Sequence, residues 1–234
     1  MTSIAEKIRQ VNDTIAAACA RAGREVGEIT LVIVTKSATS EQIKEVVDLG
    51  YLDLGENRVQ QLKKIAEDLA PPIIKISQKI NWHMIGHLQR NKVRAVLPIV
   101  TMVHSVDTLR LAEEINAAAA KLQTKTRILL QVNAGEEPQK YGVPVGAAIH
   151  LAEQFETMPN IQLCGLMTLG PLTHDTDAIR ACFIRMRELF MEIRASRVVG
   201  PHFNQLSMGM SHDYQIAIEE GATILRIGSA IFAP

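Results

Sequence analysis

The strongest constraint on this chain is eight short apolar runs that alternate with helical or polar stretches. Ile29–Val34 (ITLVIV) is β-branched and apolar without polar alternation, the pattern of a strand buried on both faces. Further strands are predicted at Leu52–Leu54, Ile80–Ile85, Met102–His104, Arg127–Val132, Ile161–Met167, Phe203–Leu206 and Thr223–Ile227. Between them, helices are predicted from about Val59, from an Asp107 cap through Leu111, Ile115 and Leu122, over a long stretch to about Arg194, and from Ser211 to a stop at Gly221. Strands alternating with helices build a parallel sheet. Eight strands are the number that closes a (β/α)₈ barrel. A doubly wound open sheet is the rival architecture. It calls for a Gly-rich first turn, whereas the first strand here runs into Thr35-Lys36-Ser37-Ala38.

Ahead of the first strand, Ile4, Ile8, Val11, Ile15 and Cys19 recur on one helical face. Ser3 and Glu6 give a capping-box pattern, and Gly23 a stop. The chain ends at Pro234 without a full helix after the eighth strand, so this first helix is predicted to fill the gap in the outer ring. No repeat, low-complexity tract or linker interrupts the sequence, and one domain over residues 1–234 is expected. The stretches Pro71-Pro72 and Gly135–Gly142 (GEEPQKYG) read as surface loops.

Composition narrows the function. Lys and Arg number 25 and so do Asp and Glu, which argues against a nucleic-acid binder but not against a small anionic ligand. The three cysteines, Cys19, Cys164 and Cys182, are widely spaced and form no C-x-x-C, so buried reduced thiols are expected rather than disulfides or zinc. The seven histidines include no H-x-x-x-H pair on one helix face, and no metal site is predicted. The N-terminus lacks a signal-peptide core, and no apolar run reaches the roughly 20 residues that span a bilayer. A cytoplasmic protein without membrane contact is the expectation. The basic run Arg90–Arg94 reads as a solvated helix face. Met84, Met167, Met208 and Met210 read as core filling, or as flanks of a flat ring.

In such a barrel the site lies at the C-terminal ends of the strands. The predicted exits carry Lys36, Gly55-Glu56-Asn57-Arg58, His83 with Gly86-His87, His104-Ser105, Asn133, Thr168, Ser207–Ser211 and Gly228-Ser229. Lys36 follows an apolar strand and Thr35. Partial desolvation at the rim would make its amine a nucleophile toward an aldehyde, or the side chain simply snorkels to water. Ser207-Met208-Gly209 and Arg226-Ile227-Gly228-Ser229 lie after strands seven and eight, where barrel phosphate sites are frequently built. A helix opening at Ser211 would favour an anion there. The alternative is a pair of tight turns with glycine for backbone reasons. Taken with Lys36, they describe an aldehyde at one end of a ligand and a phosphate at the other.

These residues resemble the YggS/PROSC-type pyridoxal phosphate homeostasis proteins over nearly the whole chain. The resemblance rests on the strand ending at Lys36, GENRVQQ at Gly55–Gln61, WHMIGHLQRNKVR at Trp82–Arg94, HSVD at His104–Asp107 and QVN at Gln131–Asn133. It continues in EPQKYGV at Glu137–Val143, GLMTLGP at Gly165–Pro171, LSMGMSHDY at Leu206–Tyr214 and RIGSAIF at Arg226–Phe232. It implies a barrel like the alanine racemase N-terminal domain, with pyridoxal 5′-phosphate (PLP) held as a Schiff base on Lys36. It also implies phosphate contacts from Ser207, Gly209, Gly228 and Ser229, Arg226 near the pyridine nitrogen, and Asn57 and His83 close to the ring. The chain departs from the family in lacking a proline soon after the lysine and in ending Ala233-Pro234 after AIF.

The resemblance implies a carrier or regulator in vitamin B6 homeostasis and amino-acid balance, without turnover. Racemisation needs a base on each face of the substrate, and related racemases draw the second from another domain. An Arg at the pyridine nitrogen would leave it unprotonated and weaken the electron sink. A monomer is expected, with apo PLP enzymes as recipients of the cofactor. The alternatives are a PLP-dependent racemase, a cofactor-free Schiff-base aldolase, and an interaction module that reads PLP as a signal. The aldolase would carry its lysine on the sixth strand, and Ile161–Met167 contains none.

Overall fold

The computed structural model describes residues 2–69 and 79–233. The predicted Pro71-Pro72 loop and the terminal Pro234 lie outside them. The strands are β1 (Thr30–Val34), β2 (Asp53–Glu56), β3 (Asn81–Met84), β4 (Val100–Val106), β5 (Thr126–Gln131), β6 (Ile161–Met167), β7 (Gln205–Ser207) and β8 (Ile224–Ile227). Each pairs with the next in parallel, and β1 pairs with β8, so the sheet closes into the barrel the sequence predicts. The helices are α1 (Ile4–Ala22), α2 (Ser40–Asp48), α3 (Val59–Asp68), α4 (Val93–Val96), α5 (Leu109–Lys121), α6 (Ala148–Glu156), α7 (Thr176–Ala195), α8 (Tyr214–Glu219) and α9 (Ser229–Phe232).

Helix α1 begins where Ser3 Oγ accepts the Glu6 N–H at 3.2 Å, and ends at Gly23 in the left-handed conformation. It buries Ile8, Val11, Ile15, Ala18 and Cys19. The three larger aliphatics contribute about 1.5–3 kcal/mol each relative to exposure. This face packs against α8, α9 and α2, so the N-terminal helix does close the outer ring beside the four-residue α9. Polar ties fasten the same seam. Lys7 Nζ donates to the Ala233 carbonyl, and Arg24 Nη1 donates to the carbonyls of Ile218 (2.9 Å) and Ala222 (2.8 Å).

Two apolar layers result. The larger lies between strands and helices and includes Ile33, Leu54, Met84, Phe155, Phe183 and Ile227. The smaller is built from Val32, Met102, Leu129, Cys164, Met167 and Ile224. These residues come from five strands around the ring and meet only across its interior. Polar side chains occupy the rest of that interior. His83, His104, Ser207 and Arg226 are all buried there.

The boundaries differ from expectation at three points. Thr108, not Asp107, caps α5, accepting the Leu111 N–H at 3.2 Å. Ser211 opens no helix, because Asp213 Oδ1 accepts the Met210 N–H at 2.5 Å and folds Ser211–Asp213 into turns, which delays α8 until Tyr214. The basic run after β3 forms a 3₁₀ turn over Arg90–Lys92 before the short α4, rather than one helix. All three cysteines are buried free thiols.

Candidate functional site

At the C-terminal mouth of the barrel lies a cavity of about 600 Å³, within the range that holds small ligands. The end of β1 shapes one wall. Thr35 is fully buried, and its hydroxyl donates to Glu56 Oε2 at 2.9 Å. The same carboxylate accepts the Asn57 N–H at 2.7 Å, which locks the β1 and β2 exits together. Lys36, next along the chain, therefore points its amine at the cavity from a turn. It is exposed, not partly desolvated as the sequence reading expects, because strand order ends at Val34 and Lys36 stands beyond it in a turn. Thr39 then accepts the Gln42 N–H and starts α2, so the loop after Lys36 turns without a proline.

The adjoining wall is formed by the turns after β7 and β8. Ser211, Gly228 and Ser229 line the cavity there. Ser211 Oγ accepts the Ala230 N–H at 3.2 Å and ties the two turns together. Among the described residues no protein acceptor takes the N–H of Gly228 or Ser229. A Cβ on Gly228 would stand 2.9 Å from the Val34 carbonyl oxygen, so this approach admits only glycine without movement. Gly209 does not line the cavity and instead shapes the turn. Its φ is +95°, and a Cβ there would lie 2.6 Å from Ala217 Cβ.

Arg226 lies at the floor, buried but facing the cavity. Nη1 donates to Ser207 Oγ at 2.6 Å and Nη2 to the Thr168 carbonyl at 2.8 Å. Burial pulls its guanidinium down to about 10, with Asp213 acting the other way. Burial likewise raises the Asp213 carboxyl. Behind Arg226, Ser207 Oγ is 3.0 Å from His104 Nδ1, and His104 Nε2 is 2.9 Å from His83 Nδ1. Burial first, then His83 and Arg226, push the His104 imidazole well below its ordinary range, so it is neutral.

Of the residues singled out from the sequence, the cavity brings together Lys36, Asn57, Arg226, Gly228 and Ser229. Ser207 and His83 lie beneath it inside the barrel, and Gly209 lies behind its wall. The sequence reading missed Lys140 and Tyr141, placed on a loop taken as mere surface. Both line the mouth. Lys140 Nζ donates to the Gly170 carbonyl at 2.8 Å, and the Tyr141 ring stacks on His87 with centroids 4.0 Å apart. The available signal was the EPQKYG motif, which sets a cation and an aromatic together in a polar loop.

The arrangement offers an amine, free backbone donors and serine hydroxyls on adjoining strand exits, and a donor-only cation at the floor. That set suits a small ligand with an aldehyde at one end and a phosphate at the other, with a ring acceptor between them. Among the described residues no helix is long and apolar enough to cross a membrane.

The chain is similar to known proteins over nearly its whole length. The family model described as alanine racemase, N-terminal domain, matches residues 12–234. A pyridoxal phosphate homeostasis protein of Aquifex aeolicus is 40% identical over 228 residues, covering 97% of this chain and 96% of the relative. The structure of PipY from Synechococcus elongatus with PLP bound superposes with a TM-score of 0.81 at 29% identity, covering 94% of this chain and all of that one (100%). An alanine racemase of Clostridium difficile shares the fold alone, with a TM-score of 0.74 at 12% identity, and 94% of this chain covers 56% of that one. The family model over residues 12–234 and the 40% identity across 97% of the chain place this chain in the pyridoxal phosphate homeostasis protein family, built on the alanine racemase N-terminal domain fold.

Proposed function

We propose that residues 1–234 act as one ligand-binding barrel domain that holds PLP as a Schiff base on Lys36 and serves intracellular PLP balance without turnover. The observation that carries this reading is the placement of Lys36 in a single cavity with Ser211, Gly228 and Ser229. Condensation of the Lys36 amine with an aldehyde forms a C=N bond and releases water. Bound PLP supplies that aldehyde and an electron-withdrawing ring. The chain supplies the rest. The N–H groups of Gly228 and Ser229, with the hydroxyls of Ser211 and Ser229, hold the phosphate. Arg226 faces the ring nitrogen as a donor and keeps it an acceptor. Asn57 borders the ring at the β2 exit, while His83, Ser207 and Gly209 support the site from below and behind.

Absence of turnover is supported by the donor-only Arg226, which weakens the ring as an electron sink, and by the relatives' description as homeostasis proteins. A cytoplasmic monomer that passes PLP to apo enzymes fits the same reading. The test is borohydride reduction followed by peptide mapping, with the visible spectrum recorded for wild type and Lys36→Ala. A phosphopyridoxyl adduct on Lys36 and loss of the visible band in Lys36→Ala are expected. An adduct on another lysine instead, or an unchanged band, would refute the assignment. Exchange of solvent deuterium into the α position of free amino acids would favour the racemase alternative.

A further inference from the structure

The polar groups inside the barrel form one continuous line from the ligand cavity to the opposite mouth. Arg226 Nη1 donates to Ser207 Oγ (2.6 Å), Ser207 meets His104 Nδ1 (3.0 Å), His104 Nε2 meets His83 Nδ1 (2.9 Å), and His83 Nε2 meets Asp53 Oδ1 (3.1 Å). Asp53 is the first residue of β2, so it stands at the N-terminal end of the barrel, away from the cavity. Its side chain is 34% exposed and also accepts from Asn81 Nδ2 at 3.2 Å. The interior links are buried.

The direction of every proton in this line is fixed from both ends. Arginine has donors only, and an ionised carboxylate has acceptors only. The Ser207 hydroxyl accepts from Arg226 and has one proton to give, which goes to His104 Nδ1. A neutral His104 then carries its proton on Nε2 and donates to His83 Nδ1. His83 in turn carries its proton on Nε2 and donates to Asp53. Reversing the line would set a bare His83 nitrogen against a carboxylate oxygen and leave the serine proton without an acceptor. Both ends therefore demand the same pair of tautomers.

We propose that Asp53 is a positioning residue for the ligand-facing guanidinium of Arg226, acting across the barrel through the one-way chain of His83, His104 and Ser207. With Nη1 held by Ser207 and Nη2 by the Thr168 carbonyl, the guanidinium plane is set before any ligand arrives. The inference rests on the reading of the cavity as a PLP site, and it extends that site to a carboxylate on the far side of the molecule.

The test begins with the protein freed of PLP. Nitrogen NMR of ¹⁵N-histidine-labelled protein is expected to show the Nε2–H tautomer at both His83 and His104. Asp53→Asn keeps size and removes the one-way acceptor, since an amide also donates. It is expected to give mixed tautomers, to weaken PLP affinity by about threefold, which is about 0.7 kcal/mol, and to move the visible band. Asp53→Glu restores the carboxylate and is expected to restore all three readouts. An Nδ1–H tautomer at His104 in the wild type would overturn the inference. So would an Asp53→Asn variant that binds PLP with unchanged affinity and spectrum, whatever its tautomers. If the wild type takes up no PLP, the ligand reading falls by itself, while the tautomers still decide whether the chain runs one way.

Discussion

Replacing Arg226 by methionine removes a buried charge while keeping an unbranched side chain of similar length. Burial holds the guanidinium at about 10, well below its ordinary value. That depression corresponds to roughly 3 kcal/mol of folding free energy. The sign follows from the folded value lying below the unfolded one. The native state binds fewer protons than the unfolded chain between the two values, so the penalty is fully present below about 10 and disappears as pH rises towards the ordinary arginine value. Methionine returns that penalty. It also leaves the Thr168 carbonyl without its Nη2 donor, at a cost of about 1–3 kcal/mol, while Ser207 keeps His104 as a partner. The two terms nearly cancel, and the stability of the PLP-free variant is expected to stay within about 2 kcal/mol of wild type. For a chain of this size that is about 4–8 °C in Tm. The assay is thermal melting of PLP-free protein, and the difference between the two proteins is expected to be the same at about pH 7 and about pH 9, where Arg226 stays charged in both states. PLP affinity, measured separately, is expected to fall. A Tm loss well beyond 10 °C, the scale of a broken structural ion network, would refute the argument that this guanidinium is held for a ligand rather than for the fold.

Three further outcomes follow from the same geometry. Gly209→Ala forces a side chain onto a φ of +95° and a Cβ to 2.6 Å from Ala217, so a loss of about 3 kcal/mol in chemical denaturation is expected. Asp213→Asn keeps an acceptor for the Met210 N–H and removes a carboxylate whose folded value is raised by burial. The native state therefore favours the protonated form, and the variant is expected to be the more stable near neutral pH, an advantage that shrinks as pH falls through the folded value. Cys19, Cys164 and Cys182 are buried, and burial pushes the Cys182 thiol up to about 11, so iodoacetamide at about pH 8 is expected to label none of them until the protein unfolds.

The barrel was legible in the sequence because its strands are buried on both faces and read as unbroken apolar runs. Ile161–Met167 is bounded alike in sequence and structure. Short strands with polar ends read less well. The β2 run extends through Gly55 and Glu56, whose role in locking the β1 exit depends on a partner in Thr35. Lys36, Asn57, Gly228 and Ser229, which line the cavity, stand at strand exits, where barrel sites gather, whereas Arg226 lies within β8 and its role came only from the family resemblance. The pairing of His83 with His104 was not legible. It arises from the register of β3 on β4, with His83 set against Met102, and no spacing along the chain encodes that. The turn at Ser211–Asp213 was hidden for a related reason. A serine before an apolar stretch looks like a helix cap, and only the Asp213 side chain folding back on Met210 shows that the helix starts later.

The regular pairing of β7 with β8 consists of a single residue pair, Ser207 with Ile224, where β5 and β6 share six. The registered pairing is thus shortest at this junction, which the Ala230 N–H crosses to Ser211 Oγ. A ligand reaching from one turn to the other would act as a clasp on that joint. Amide exchange at Met208, which donates to the Ile224 carbonyl at 3.2 Å, and at Arg226, which donates to Gly209 at 3.0 Å, should then slow on loading while the broad β5–β6 face exchanges as before. The hoop would be held shut by its own cargo, and release would begin at the place where the barrel opens most easily.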